Sequence, residues 1–256
     1  MHIASWNVNS IKVRSKLVLD WFNKSNCDIL LIQETKSQDH NFPKDSFLTE
    51  GLNVVFHGQK SYNGVAIISR HPITNVSIGL PGDALDDQAR YLEATVEGIR
   101  VATIYLPNGN PAPGPKFDYK ISWMKRLFKQ SYDLLKTEMP IILGGDFNVI
   151  PEDIDCYDPA GWEGDALTNL QARAAFRSVI NLGYSDALRT VHQTGVFYTY
   201  WDYQAGAWQK DNGLRIDHLL LSPEAADRLS DAGVDSEPRG NVQPSDHAPV
   251  WCTLSD

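Results

Sequence analysis

The chain has 256 residues, with 23 Lys+Arg against 32 Asp+Glu and a formal net charge of -9. At 42% hydrophobic and 21% charged it has an ordinary globular composition, which excludes a disordered chain. No apolar run approaches the ~20 residues that span a bilayer, and the acidic balance excludes a protein that coats nucleic acid by bulk positive charge. The charge is lopsided: residues 1–128 carry 14 basic and 12 acidic side chains, residues 129–256 carry 9 and 20. The start MHIASWNVNS lacks the charged and apolar segments of a signal peptide. Cys27, Cys156 and Cys252 have neither metal-type spacing nor a disulfide pattern. They read as reduced thiols of a cytoplasmic protein. The length suits one domain burying about 75% of its unfolded surface.

Short apolar runs ending in polar loops recur along the chain. HIASWN, DILLIQET, LNVVFHG, GVAIISR, YLEATVEG, IRVATIYLP, MPIILGGDFN, LRIDHLLLS and HAPVWCTL read as strands by their β-branched content and punctuation. Three segments have helical periodicity. Lys12–Lys24 places Leu17, Trp21 and Phe22 on one face; Phe117–Leu135 and Asn169–Leu182 show the same pattern. Helices are too few for strict βαβ alternation, and residues 53–105 are strand after strand, so antiparallel or mixed sheets covered by helices are expected. PNGNPAPGP (107–115) and the acidic stretch 151–168 read as long surface loops.

Polar residues collect where apolar strands end. Asn7 and Asn9 follow IASW, Glu34 follows DILLIQ, Tyr105 and Asn108 end ATIYLPN, Asp146 and Asn148 follow PIILGG, and Asp246-His247 precede APVWCTL. Each alone has a blander reading as a turn, a helix start or a cap. Together they point to one polar cleft. Asp217 sits in the apolar LRIDHLLL, where a charge needs a partner; a histidine is one possibility. Glu34 with a second carboxylate suits a hard cation such as magnesium, which in turn suits phosphate substrates. No GxxxxGK[ST], GxSxG or zinc-type cluster is present. Without a standout Ser or Cys, water is the economical nucleophile, with Asp146 or His247 handling its proton.

The segments SWNVNS, LLIQETK, YNGVAIISR, YLPNG, GGDFN, GLRIDH and SDHAPV occur in this order, from Ile3 to Leu254. In this the chain resembles the exodeoxyribonuclease III family of abasic-site endonucleases, within the endonuclease/exonuclease/phosphatase superfamily. WDYQAGAWQKDNGLRIDH and WEGDALTNLQAR resemble its bacterial branch. The resemblance implies an α+β, four-layer α/β-β/α sandwich like deoxyribonuclease I, with two mixed, mostly antiparallel sheets face to face and helices outside. It implies Glu34 as main metal ligand supported by Asn7 and Asp246. The implied metal is Mg2+, with Mn2+ as a possible substitute. It further implies Asp146 on the attacking water, Asn148 on the scissile phosphate, His247 paired with Asp217, and Tyr105 at the phosphate or leaving group.

The implied substrate is double-stranded DNA with abasic or 3′-blocked sites, cut 5′ to the lesion or trimmed from its 3′ end by a monomer. Lys36, Tyr62, Asn63, Arg90 and Asn108 are then expected at the DNA. Tyr200, Trp201, Trp208 and Leu214 are candidates for a pocket receiving a flipped-out sugar, with core packing as the other reading of the two tryptophans. Ser10 and Ile11-Lys12 replace the usual Gly and Arg, so Lys12 and Arg14 are expected to take over phosphate contacts. Gln204 stands where many relatives have Arg. A phosphodiesterase for small esters and a non-catalytic damage binder are the alternatives. The balance among activities depends on loops 59–63, 107–116, 151–168 and 202–213. A positively lined rim, formed by Lys12, Arg14, Lys36 and Arg90, is expected on an acidic body.

Overall fold

The computed structural model describes residues 1–255. Its elements run β1 (His2–Asn7), α1 (Ile11–Lys24), β2 (Ile29–Gln33), α2 (Lys44–Thr49), β3 (Asn53–His57), β4 (Val65–Ser69), β5 (Ile73–Ile78), β6 (Tyr91–Val96), β7 (Ile99–Tyr105), α3 (Pro115–Leu135), β8 (Ile141–Asp146), α4 (Leu170–Ile180), β9 (Ser185–Asp186), α5 (Ala187–Val191), β10 (Asp217–Leu221), α6 (Pro223–Ala226), β11 (Leu229–Val234) and β12 (Val250–Leu254).

The strands form two six-stranded mixed sheets, ordered β11-β12-β1-β2-β4-β3 and β5-β6-β7-β8-β10-β9. Each has one parallel pair at its centre. β1 and β2 are joined through α1, β7 and β8 through α3, because parallel neighbours need a long crossover. Every other pairing is antiparallel.

The apolar runs lack polar alternation because the central strands are covered on both faces. Ile29 and Leu31 of β2 point between the sheets, toward Leu92, Val101, Ile142 and Leu219. Leu30 and Ile32, one residue along, point outward onto Trp21 and Phe22 of α1 and Phe47 of α2. In the second sheet Ile142 faces inward, while Ile141 and Leu143 face Trp123, Met124 and Leu127 of α3 and Phe176 of α4. The result is helix, sheet, sheet, helix, as expected. Gly144 lets the sheets approach: a Cβ there would lie 2.6 Å from Leu31 Cδ1 and 2.7 Å from Leu219 Cδ2.

The three expected helices are present, the last shorter at both ends, with Asn169 as its N-cap accepting from the Gln171 amide. β5, β9, β11, α2, α5 and α6 were not foreseen. β5 is an edge strand exposed along nearly all its length, and the others are six residues or fewer, so none carries a strong apolar period. The three cysteines are buried and free.

Candidate active site

The parallel pairs end on the same side of the sandwich, and that shared end places the site. Asn7 and Glu34 come from the C-terminal ends of β1 and β2, Tyr105 and Asp146 from those of β7 and β8. Asp217 starts β10, directly opposite Asp146. Burial at both faces leaves little choice of rotamer, so the polar ends converge.

Asn7 ties the two sheets together. Its amide nitrogen donates to Glu34 Oε1 at 2.8 Å and to Asp146 Oδ2 at 3.0 Å, and its oxygen accepts from the Asn9 amide at 3.0 Å. Asp146 Oδ1 accepts from the Asn148 backbone N–H at 2.9 Å. His247 Nδ1 lies 2.8 Å from Asp217 Oδ2, and the Thr199 hydroxyl donates to that same oxygen at 2.7 Å. His247 Nε2 faces Asp146 Oδ2 at 3.8 Å. One possible ligand atom from each of Glu34, Asp146 and His247 falls within 4.8 Å of the others.

The charges are unevenly matched. Burial and the neighbouring Asp217 and Glu34 push Asp146 up to about 7, although His247 opposes them. Burial would lower His247, but Asp217 overrides it and raises the imidazole to about 10, so the ring is a cation at neutral pH. Burial also works against charge on Glu34, yet Lys36 and Asn7 hold its carboxyl below the usual range. Tyr105 is pushed well up by burial and by Glu34 and Asp146, and stays a phenol. The buried Asp217 Oδ1 has no hydrogen-bond partner among the described residues.

These groups line a cleft of about 270 Å³ together with Asn108, Asn110, Asn148, Trp162, Asp165, Leu167, Tyr200, Leu214, Ile216 and Asp246. One side is carboxylate and amide; the other is an apolar wall. Six non-glycine residues around it hold left-handed backbone: Asn9, Ser10, Glu34, Lys36, Asn63 and Asn148. Of these, Glu34 and Asn148 line the cleft itself.

A sequence profile of the Endonuclease/Exonuclease/phosphatase family matches residues 4–247. The chain belongs to that family. The exodeoxyribonuclease of Bacillus subtilis (strain 168) is 31% identical over 257 residues, covering 98% of each chain. The D146N form of a 3′ phosphatase from Neisseria, bound to product DNA hairpin, superposes with a TM-score of 0.98 at 42% identity, covering all of both chains. An AP endonuclease from Archaeoglobus fulgidus superposes at 0.96 with 35% identity and the same coverage.

Within this family member the expected site residues divide. Asn7, Glu34, Tyr105, Asn108, Asp146, Asn148, Asp217, Asp246 and His247 share one end of the sandwich, and Tyr200 and Leu214 stand in the cleft wall. Asn7, foreseen as a ligand, turns its amide nitrogen toward the carboxylates, because the Asn9 turn claims its oxygen. Asp246 accepts from the Asn9 side chain at 3.0 Å and lies beside the three-residue cluster, not in it.

Trp201 and Trp208 do not line the cleft. They pack edge-on, centroids 4.9 Å apart, in a side cluster with Ala207 and Ala248, and Trp201 Nε1 donates to Asp211 at 2.9 Å. Trp162, Leu167 and Ile216 supply the wall instead. Trp162 and Leu167 lie in the 151–168 loop, where no periodicity marked them; Ile216 was hidden inside an apolar run.

The basic rim is mostly committed inward. Lys36 pairs with Glu34 at 2.8 Å. Arg14 donates to the Val8, Asn9 and Gln243 carbonyls and the Tyr203 hydroxyl. Arg90 lies 4.8 Å over the Tyr105 ring and bonds Gln88 and the Tyr105 carbonyl. Asn63 is buried and holds its loop through Gln59 and Gln88. Backbone groups near these side chains outcompete solvent for them, a preference invisible to charge counting. Lys12 and Tyr62 remain exposed.

Proposed function

We propose that this chain is a divalent-metal-dependent DNA phosphodiesterase of base excision repair. It incises double-stranded DNA 5′ to abasic sites and trims blocked 3′ ends, acting as a monomer in the cytoplasm. The names of its relatives support this reading: a bacterial exodeoxyribonuclease, a 3′ phosphatase holding product DNA and an AP endonuclease, each matched over essentially the full chain. The observation that carries it is the Asn7 bridge between Glu34 and Asp146, set against the His247–Asp217 pair.

The donor set fits a hard cation. Two carboxylates are drawn together by one amide, and burial, with the neighbouring Asp217 and Glu34 charges, raises Asp146 to about 7. Glu34 and Asp146 would hold Mg2+ or Mn2+, with Asp246 alongside. The bound ion would supply charge stabilisation to the phosphate.

The side chains account for the proton and charge work. Asp146, held by the Asn7 amide and the Asn148 backbone N–H, is the base for the attacking water. His247, a cation held by Asp217, faces the negative charge that grows on the phosphate oxygens. Asn148 positions the phosphate. Its amide nitrogen donates to the Leu106 carbonyl at 2.9 Å, and its oxygen accepts from Asn108 at 3.1 Å, so its plane is fixed before substrate arrives. Tyr105 remains protonated beside Asp146 and can donate to the leaving oxygen. The wall of Tyr200, Leu214 and Ile216 offers an apolar face to a sugar lacking its base.

A panel of abasic duplex, 3′-phosphate duplex and small phosphodiesters tests the reading. Cleavage of the duplexes is expected. Turnover of the small esters alone would replace it with the superfamily alternative.

A further inference from the structure

Lys120 lies on α3, the helix that covers the outer face of the second sheet. It is completely buried, and its ammonium donates to three backbone carbonyls: Asn108 at 2.9 Å, Asn148 at 2.6 Å and Ala166 at 3.2 Å. Three bonds use all three N–H groups of an ammonium. Burial drives its pKa down to about 7, against the pull of Asp146 and Asp165. A methionine would fill the same space but leave all three carbonyls without this donor, so the ammonium is what ties them together.

The three carbonyls belong to the three loops that border the cleft. Asn108 lies after β7, Asn148 after β8, and Ala166 sits between Asp165 and Leu167, which both line the cleft. The loops are braced further by Asn110, whose side-chain nitrogen donates to both oxygens of Asp165 at 3.1 Å while its oxygen accepts from the Ala166 amide at 3.0 Å. Gly109, with φ +91°, lets the first loop wrap the lysine stem; a Cβ there would lie 2.6 Å from Lys120 Cδ. No lysine or arginine lines the cleft itself. Lys120 is the cation directly behind its amides.

We propose that Lys120 is a positioning residue. Its ammonium sets the spacing of the three loops and so holds the Asn148 and Asn108 side chains at the scissile phosphate. This rests on the phosphate-binding role of Asn148 proposed above. Misplacing such a group by about 1 Å costs on the order of 100-fold in rate without removing any substrate contact.

The test is a double-mutant cycle on duplex DNA bearing a 3′ phosphate, reading kcat and KM for Lys120→Met, Asn148→Ala and the double variant. Near-ultraviolet circular dichroism confirms the fold. Lys120→Met is expected to lower kcat about 30-fold with KM within about threefold, Asn148→Ala about 100-fold, and the double variant no further than Asn148→Ala alone. Lys120→Arg, which keeps charge and donors, is expected to recover part of the lost kcat. If Lys120→Met does not fold, Lys120→Gln, which keeps two donors, is read in the same cycle. Wild-type kcat for Lys120→Met with Asn148→Ala impaired overturns the clamp and leaves the phosphate site standing. Multiplying losses in the double variant also overturn it. Wild-type kcat for Asn148→Ala overturns both.

Discussion

Asp217 and His218 are neighbours on β10 and serve two buried ionic clusters on opposite faces of one sheet. Asp217 points to the cleft and His247. His218 points outward to Arg215, whose guanidinium meets Asp155 through Nε and Nη2 at 2.7 and 3.1 Å and Asp186 at 2.6 Å. Arg189 adds a third bond to Asp155 at 2.6 Å, and His218 Nδ1 sits 3.0 Å from Arg215. Both clusters combine histidine with buried carboxylates, yet their protons go opposite ways. In the outer cluster burial and Arg215 push His218 down to about 4; burial disfavours charge on Asp155 and Asp186, but Arg215 holds both below the usual range. In the cleft His247 rises to about 10 and Asp146 to about 7. Two arginines, Arg215 and Arg189, make the difference. Where cations match the acids, the cluster is a rivet; where they do not, the unmatched charge waits for something brought from outside.

This contrast can be broken from either side. The largest effect is expected in the cleft: Glu34→Ala and Asp146→Asn should each lower the cleavage rate about 1,000-fold or more at unchanged fold. Asp217→Asn should cost about 100-fold, and the alkaline limb of the pH–rate profile should move to lower pH as His247 loses the charge that raises it. In the outer cluster the same kind of change should act on stability. Arg215→Met strands two buried acids and should cost about 3–5 kcal/mol in urea unfolding, while kcat per folded molecule stays within a few-fold of wild type. A large kcat loss there would show that the two clusters are one machine.

Acid should also separate them. The folded-state pKa of His218 is depressed, so its contribution is full above 6.5 and is lost as pH falls toward about 4. Asp155 and Asp186 extend the loss below the ordinary carboxylate value of 3.8. Asp146 acts oppositely, since its raised pKa favours protonation in the folded chain. Asp146→Asn should therefore stabilise the protein at pH 8 and steepen its acid loss, as thermal melts across pH 4–8 would record. The smallest effect belongs to the exposed Lys12: Lys12→Ala should weaken duplex binding a few-fold and reduce the salt slope by about 1.

Much of this was readable in the sequence. Apolar runs marked the central strands because burial on both faces demands them, and polar residues at strand ends marked Asn7, Glu34, Tyr105, Asp146 and His247 because both parallel pairs end on one side. Direction of bonding was not readable. Asn7 is a donor to the carboxylates only because the Asn9 turn claims its oxygen, and Arg14 and Arg90 are spent on carbonyls that come near them only after folding. Trp201 and Trp208 looked like pocket residues from their polar neighbours, but Asp211 satisfies one indole and their rings pack on each other. Thr199 stood in a segment without period or motif, Trp162 and Leu167 in a loop whose pattern gave them no role, and Lys120 in a helix whose period marked only its apolar face; only the closure of the loops brings them to the site.

The central claim is that Glu34 and Asp146 hold a cation and drive hydrolysis of a DNA phosphodiester. The most direct measurement is single-turnover cleavage of a fluorescent abasic duplex, beside a matched 3′-phosphate duplex, with and without a chelator. Cleavage that stops with chelator, returns on adding Mg2+, and is absent in Asp146→Asn is the predicted result. Cleavage that persists in chelator, or in Asp146→Asn, would contradict it.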